Sequence, residues 1–280
     1  MSEQLEGKQC ILSALRARQR RFELLLVSWS AHPAKTQDVI FLAKQLGVPV
    51  KVVPAEELDK MSVGKTHAGL IAIASAKPLI KPAELLRMNR RSARPAFLLL
   101  LEGVEDEQNL GFIIRSAGAM GVDAVLLKKH IWNFDPRAVS RASAGVYEWM
   151  PLVKIEKESD ILGGLQKSGL KVMGALPRCR RTMYDMDFNS PVVVALGGEK
   201  RGLSGALRQS CDKFFTIPMG IAREQASPVA GENGPDNAPD EEPDKSRQIA
   251  SLSLSHAAAI VMAEVMRQRR RAGNGIPESQ

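Results

Sequence analysis

Cysteine, histidine and aromatic side chains are all scarce in this chain of 280 residues, and each shortage removes a class of explanation. Three cysteines, Cys10, Cys179 and Cys211, are too few and too scattered for a disulfide framework, which points to a reducing, cytoplasmic compartment. Four histidines, His32, His67, His130 and His256, share no ligand-like spacing with the cysteines, so no metal is expected. No apolar run reaches the roughly 18 residues of a membrane span. The opening MSEQLEGKQ lacks the basic-then-apolar layout of a signal peptide, so no membrane partner is expected either. Eight Phe, three Trp and two Tyr are few for a protein that reads single strands by stacking bases. The serine elbow of hydrolases, the Walker A loop and the G-x-G-x-x-G turn are also missing.

What is present suits a basic protein of two domains. The chain is 44% apolar, ample for a core, and carries 39 Lys+Arg against 31 Asp+Glu. The net charge of +8 favours a polyanionic partner such as nucleic acid, bound through charge, backbone shape and ribose or phosphate contacts. Residues 1–76 alternate strand runs (24–28, 50–53, 69–75) with helical patterns (8–18, 36–46, 55–61), the signature of an α/β layer with a partly parallel sheet. Residues 77–95, with three prolines and Arg87, Arg90, Arg91 and Arg94, read as a linker. A second α/β domain, 96–272, opens on FLLLLEG (97–103), an apolar run of the kind buried on both faces of a parallel sheet. A helix at 109–120 comes next, then strands near 123–127, 171–175, 192–196 and 213–217, and a helix from Ser251 to about Arg270. Within this domain, 222–247 holds four prolines and an acidic excess, the composition of a disordered insertion, and 273–280 forms a tail.

Three segments of the second domain carry candidate chemistry. In EGVEDEQNLGFIIRSAGAMG (102–121), Asn109 is a good helix-cap residue over the carboxyl edge of a strand, where α/β sites form. Arg115 lies six residues further on, a separation that does not stack side chains on one helix face. Spacing alone favours a capped helix with one solvent-facing arginine. In VVVALGGEKRGLS (192–204) a strand delivers a Gly-Gly turn, Glu199 and a second glycine at 202, backbone that a flat ligand can approach or simply a tight connection. In FFTIPMG (214–220) and SLSLSHAAAIVMAEVM (251–266), Ser251, Ser253 and Ser255 lead a helix whose first N–H groups are free donors or plainly capped.

In this order the three segments resemble the motifs of the SpoU-type (TrmH-like) RNA 2′-O-ribose methyltransferases of the SPOUT superfamily. The match runs through Asn109-x-Gly111-x-x-x-Arg115, Leu196-Gly197-Gly198-Glu199-x-x-Gly202-Leu203, and Ile217-Pro218-Met219 followed by Ser251-Leu252. EGKQCILSAL (6–15) and the stretch 47–75 also resemble the family's L30e-like substrate-binding module. The resemblance implies a small L30e-like α/β domain followed by an α/β parallel-sheet methyltransferase domain with a deep trefoil knot. It implies S-adenosylmethionine as cofactor, held at Leu196, Gly197, Ile217, Met219 and Leu252. It places catalysis at Asn109, Arg115, Glu199 and Ser251, and implies a homodimer acting on RNA, ribosomal rather than transfer RNA by the two-domain layout. Two positions depart from the family pattern: Glu107 stands where proline is usual, and Ser253 where the third motif usually has Asn. On those departures rests an alternative, a non-catalytic RNA-binding or ribosome-assembly protein of the same fold.

Overall fold

Two sheets of different character organise the chain. The computed structural model describes residues 2–62, 67–89, 94–128, 134–156, 158–219 and 252–273. Ser251, His130 and the segment 222–247 lie outside these residues, as does all of the expected tail except Gly273.

The first sheet has four strands in the order β1-β4-β2-β3. They are β1 (Ser2–Glu6), β2 (Phe22–Ser28), β3 (Val50–Val53) and β4 (Leu70–Ser75). The pair β2/β3 is parallel, whereas β4 runs antiparallel to both β1 and β2. Helices α1 (Lys8–Ala17) and α2 (Pro33–Gln45) cover one face, where Ile11, Leu15, Leu25, Val39 and Leu70 share a core. Helix α3 (Ala55–Met61) places Leu58 against Leu26, Val53 and Ile71. Strand β1 escapes the sequence reading because SEQLE offers only one apolar residue, Leu5; pairing with β4 (Leu5 opposite Ala72) makes it a strand. Helix α2 starts three residues earlier than its periodicity suggests, because Pro33 suits a first helical position and the His32 ring accepts the Ala34 N–H.

The second sheet is six-stranded and parallel throughout, in the order β10-β8-β9-β5-β6-β7. Its strands are β5 (Phe97–Glu102), β6 (Ala124–Lys128), β7 (Leu152–Ile155), β8 (Lys171–Ala175), β9 (Val192–Leu196) and β10 (Lys213–Phe215). The run FLLLL is buried along its whole length, as a central parallel strand requires. On one face Leu98, Leu126, Val153 and Val193 meet α4 (Pro82–Asn89), α7 (Glu158–Lys167) and α8 (Gly205–Gln209) through Leu85, Leu162 and Leu207. Residues 77–95, read as a linker, thus contain a helix; proline and arginine mark its exposed side, and Leu85 its buried one. The C-terminal helix α9 (Leu254–Arg271) is held at its far end by Arg269. Its buried guanidinium donates to the carbonyls of Pro95, Ala96, Phe188 and Ser190 and lies 5.4 Å from the Phe97 ring centroid. That burial lowers its pKa to about 10.

By contacts the chain divides into two units that do not follow chain order. One contains 1–79, 106–118 and 133–150; the other contains 80–105, 119–132 and 151–280. The first therefore adds to its sheet the helices α5 (Glu107–Ala119, all but its last residue) and α6 (Pro136–Ala142). Inside it, charge is buried. Arg20 donates from Nε to Glu148 Oε2 at 2.6 Å and from Nη1 to Glu3 Oε2 at 2.5 Å and the Ser75 carbonyl at 2.9 Å. Lys77 donates to Gln19 Oε1 and to the Glu148 carbonyl, and lies 5.6 Å from the Tyr147 ring centroid. The few aromatics are also less hidden than their number suggests: Trp29 is 74% exposed, and Phe41, Phe112, Trp149 and Tyr184 are exposed too. Scarcity alone therefore does not exclude base stacking.

Burial pushes Lys77 down to about 8 from an ordinary 10.5. The folded protein gives up this proton before the unfolded chain does. The cost of burying the charged form is full below pH 8 and fades above it. Stability to urea is expected to rise by about 1 kcal/mol from pH 7 to 9, an increment that Lys77→Met removes.

Candidate active site at the carboxyl edge of the parallel sheet

Parallel strands end together, and the loops that leave their carboxyl ends form a site. Here the ends of β5, β6 and β9 surround a pocket of about 440 Å³ lined by Glu102, Gly103, Lys128, Gly198, Gly202 and Ser204, with Glu105, Lys200 and Arg201 around them. Glu102 and Lys128 are register partners on β5 and β6. Lys128 Nζ donates to Glu102 Oε1 at 2.6 Å and to Ser204 Oγ at 2.9 Å, while the Ser204 N–H donates to Glu102 Oε2 at 2.8 Å. Ser204 also caps α8 by accepting the Leu207 N–H. None of these three was singled out from the sequence. The available signal was positional, since each of the first two is the last residue of a parallel strand.

The turn after β9 is built from backbone packed on backbone. A Cβ at Gly197 would stand 2.0 Å from the Gly202 carbonyl carbon, and one at Gly198 would stand 2.7 Å from the Gly103 oxygen. Gly202 donates its N–H to the Gly198 carbonyl at 2.8 Å and has φ +59°. Of the two readings of this turn, the tight connection is the one these backbone contacts match. Glu199, at its exposed tip, accepts the Leu254 N–H at 2.9 Å on Oε1, joining the second motif to the start of α9. Leu196 is buried at the end of β9, and Gly197, Ile217, Met219 and Leu252 are half-buried. Ser253 is the N-cap of α9, its Oγ 2.6 Å from His256 Nδ1 and accepting the His256 N–H at 3.4 Å. The helix therefore begins at Leu254 rather than at Ser251, which lies outside the described residues.

Asn109 and Arg115 belong to the other unit. Asn109 does not cap α5. Asp106 does, accepting the Asn109 N–H at 2.8 Å on Oδ1 while its Oδ2 accepts from Asn109 Nδ2 at 2.7 Å. The correction has a simple cause: Asp is as good a cap as Asn and comes first. Arg115 is exposed, one turn beyond Gly111. Among the described residues no group of His, Cys, Asp and Glu could hold a metal. Burial raises the Cys10 thiol and takes that of Cys211 to about 12, so neither is suited to nucleophilic attack.

Known proteins match nearly the whole chain. The profile of the SpoU rRNA Methylase family matches residues 96–224, and that of the RNA 2′-O ribose methyltransferase substrate binding family matches residues 4–79. The chain belongs to the SpoU family of RNA 2′-O-ribose methyltransferases. It is 28% identical to the 23S rRNA (guanosine-2′-O-)-methyltransferase RlmB of Pseudomonas aeruginosa over 95% of this chain and 97% of that protein. With RlmB of Coxiella burnetii it shares 27% over 94% of each chain. Among solved structures, an RNA 2′-O ribose methyltransferase superposes with a TM-score of 0.67 at 27% identity, covering 96% of this chain and 89% of that one. The SpoU methyltransferase AviRb from Streptomyces viridochromogenes, in complex with the cofactor AdoMet, has the same fold (TM-score 0.70, 21% identity, 96% and 91% coverage).

Two stability measurements test this geometry. Gly197→Ala should cost about 3 kcal/mol in a urea melt because only backbone can yield, whereas Gly205→Ala, in open space at the first position of α8, should be neutral or stabilising by about 0.5 kcal/mol. Ser253→Ala should cost about 1 kcal/mol and Ser253→Asn almost nothing, since Asn caps as well as Ser.

Proposed function

We propose that this protein transfers a methyl group from S-adenosylmethionine to a ribose 2′-hydroxyl of structured RNA, with ribosomal RNA as substrate. The observation that carries it is the Glu199–Leu254 hydrogen bond, which ties the glycine turn to the segment holding Leu252 and Ser253, so that the second and third motifs meet as the reaction requires. The rRNA methyltransferases to which the chain is similar along nearly its whole length support the choice of RNA.

The residues present suit the cofactor. The residues that would hold it, the buried Leu196, Gly197 and the half-buried Ile217, Met219 and Leu252, are apolar or bare main chain, the chemistry that takes a flat purine. When bound, S-adenosylmethionine supplies a methyl group already activated by its sulfonium. What is left to the protein is to orient the hydroxyl and stabilise its charge. A guanidinium keeps its proton at any ordinary pH, so Arg115 acts as a cation that orients the neighbouring phosphate and stabilises the developing alkoxide. Asn109 braces the start of the Arg115 helix through Asp106. Glu199 holds the third motif, and Ser251 completes the site. Ser253 keeps the capping role that Asn would have, which weakens the case for a non-catalytic protein.

Finer features belong to the same reading: an L30e-like module at 1–76, a methyltransferase domain at 96–272 with a trefoil knot, a homodimer in which Arg115 serves the partner's site, a cytoplasmic location and no metal. The mixed α/β sheet of residues 2–75 supports the first of these. No described helix is long and apolar enough to cross a membrane. The test is transfer of labelled methyl from S-adenosylmethionine to unmodified ribosomal RNA. Arg115→Ala should lower turnover about 100-fold with cofactor affinity unchanged in calorimetry; near-normal turnover would remove Arg115 from the mechanism.

A further inference from the structure

The unit that carries Arg115 is held together by a buried carboxylate outside all three motifs. Glu148 is 1% exposed, and its carboxylate accepts three bonds: from Arg20 Nε at 2.6 Å, from Arg20 Nη2 at 3.4 Å and from Ser140 Oγ at 2.7 Å. Through the other arm of its planar fork, Arg20 reaches Glu3 on β1 and the carbonyl of Ser75 on β4. Two strands of the first sheet and helix α6 thus converge on one ion pair. A fork holds direction as well as charge.

From Glu148 the contacts lead to α5. The segment from Ser140 to Glu148 is tied to itself: Ser143 Oγ donates to the Ser140 carbonyl and accepts the Tyr147 N–H. At Gly145 it presses on α1 so closely that a Cβ would stand 2.5 Å from Ser13 Oγ and 2.8 Å from the Gln9 carbonyl. It also seats α5 at two glycines seven residues apart, which lie on one helix face. A Cβ at Gly111 would stand 2.3 Å from the Ala142 Cβ, and one at Gly118 would stand 2.6 Å from Val146 Cγ1. Arg115 lies midway between these two glycines in sequence.

We infer that Glu148, gripped by Arg20, is a positioning residue for methyl transfer: it locks the helix carrying Arg115 onto the four-stranded module, so that RNA bound by that module meets Arg115 in one register. The inference rests on the function proposed above and extends it to a residue that touches neither cofactor nor RNA. A well-packed apolar pair would hold two surfaces together equally well but would not fix their direction. Small displacements of a catalytic group are costly in turnover.

The test uses the full chain with Glu148→Gln, which removes the buried one of Arg20's two counter-charges and leaves Glu3, and the milder Ser140→Ala, which cuts the link from Glu148 to α6. Turnover on ribosomal RNA should fall about 10-fold in the first and about 3-fold in the second, with KM for S-adenosylmethionine within about twofold of the unaltered protein. Hydrogen exchange provides a readout independent of activity. Amides of α1 and α5 should exchange faster in Glu148→Gln while those of β9 and α9 stay unchanged. Unchanged turnover in both folded variants would overturn the inference. So would faster exchange confined to 140–150, or spread evenly over the chain. Should the unaltered protein transfer no methyl group to any RNA, the proposed activity falls, and the exchange pattern decides the coupling by itself.

Discussion

Where β9 ends, main chain packs directly on main chain, and the architecture of the candidate site depends on that close approach. Gly197 lies against Gly202 and Leu203, and Gly198 against Gly103, with no space for a single carbon between them. These contacts set how near the turn can come to the end of β5, and they leave Glu199 at an exposed tip from which it reaches Leu254. A side chain at either position would need backbone to move, and in a parallel sheet buried on both faces backbone has nowhere to go. The pocket beside it, with Glu102, Lys128 and Ser204 bonded to one another, is the space left by that packing.

Buried polar groups give direction where apolar packing gives only adhesion. Arg269 spends its guanidinium on four main-chain carbonyls and so fixes the end of α9 against the start of β5 and the approach to β9. Arg20 does the equivalent in the other unit, between two strands and Glu148. In each case a planar donor group satisfies acceptors from distant parts of the sequence. Hydrogen bonds weaken steeply with angle, so such a group tolerates far less rotation than a leucine contact would.

Much of the fold could be read from the chain because local pattern and final environment agree. VVVAL and FLLLL are apolar on both faces, and both are central strands. The helix at 55–61 matches its pattern residue for residue. Two failures share one cause: in each, the environment comes from elsewhere. SEQLE becomes a strand because β4 offers it an edge, and residues 82–89 become a helix because Leu85 finds a core formed by distant strands. Asn109 was misplaced by one helical turn for a local reason, two competing caps, of which the earlier one wins.

From the sequence alone came the order of the three motifs, the Gly-Gly turn after a strand, the basic charge and the alternation that makes two α/β sheets. These are matters of residue type and spacing, and the chain carries them before it folds. Only the tertiary structure could pair Glu102 with Lys128, bring Glu199 to Leu254 and bury Glu148 against Arg20 across 128 residues of chain. Such pairs depend on register and burial, and both are set by how distant elements pack. No local pattern encodes a partner that the chain meets only once it has folded.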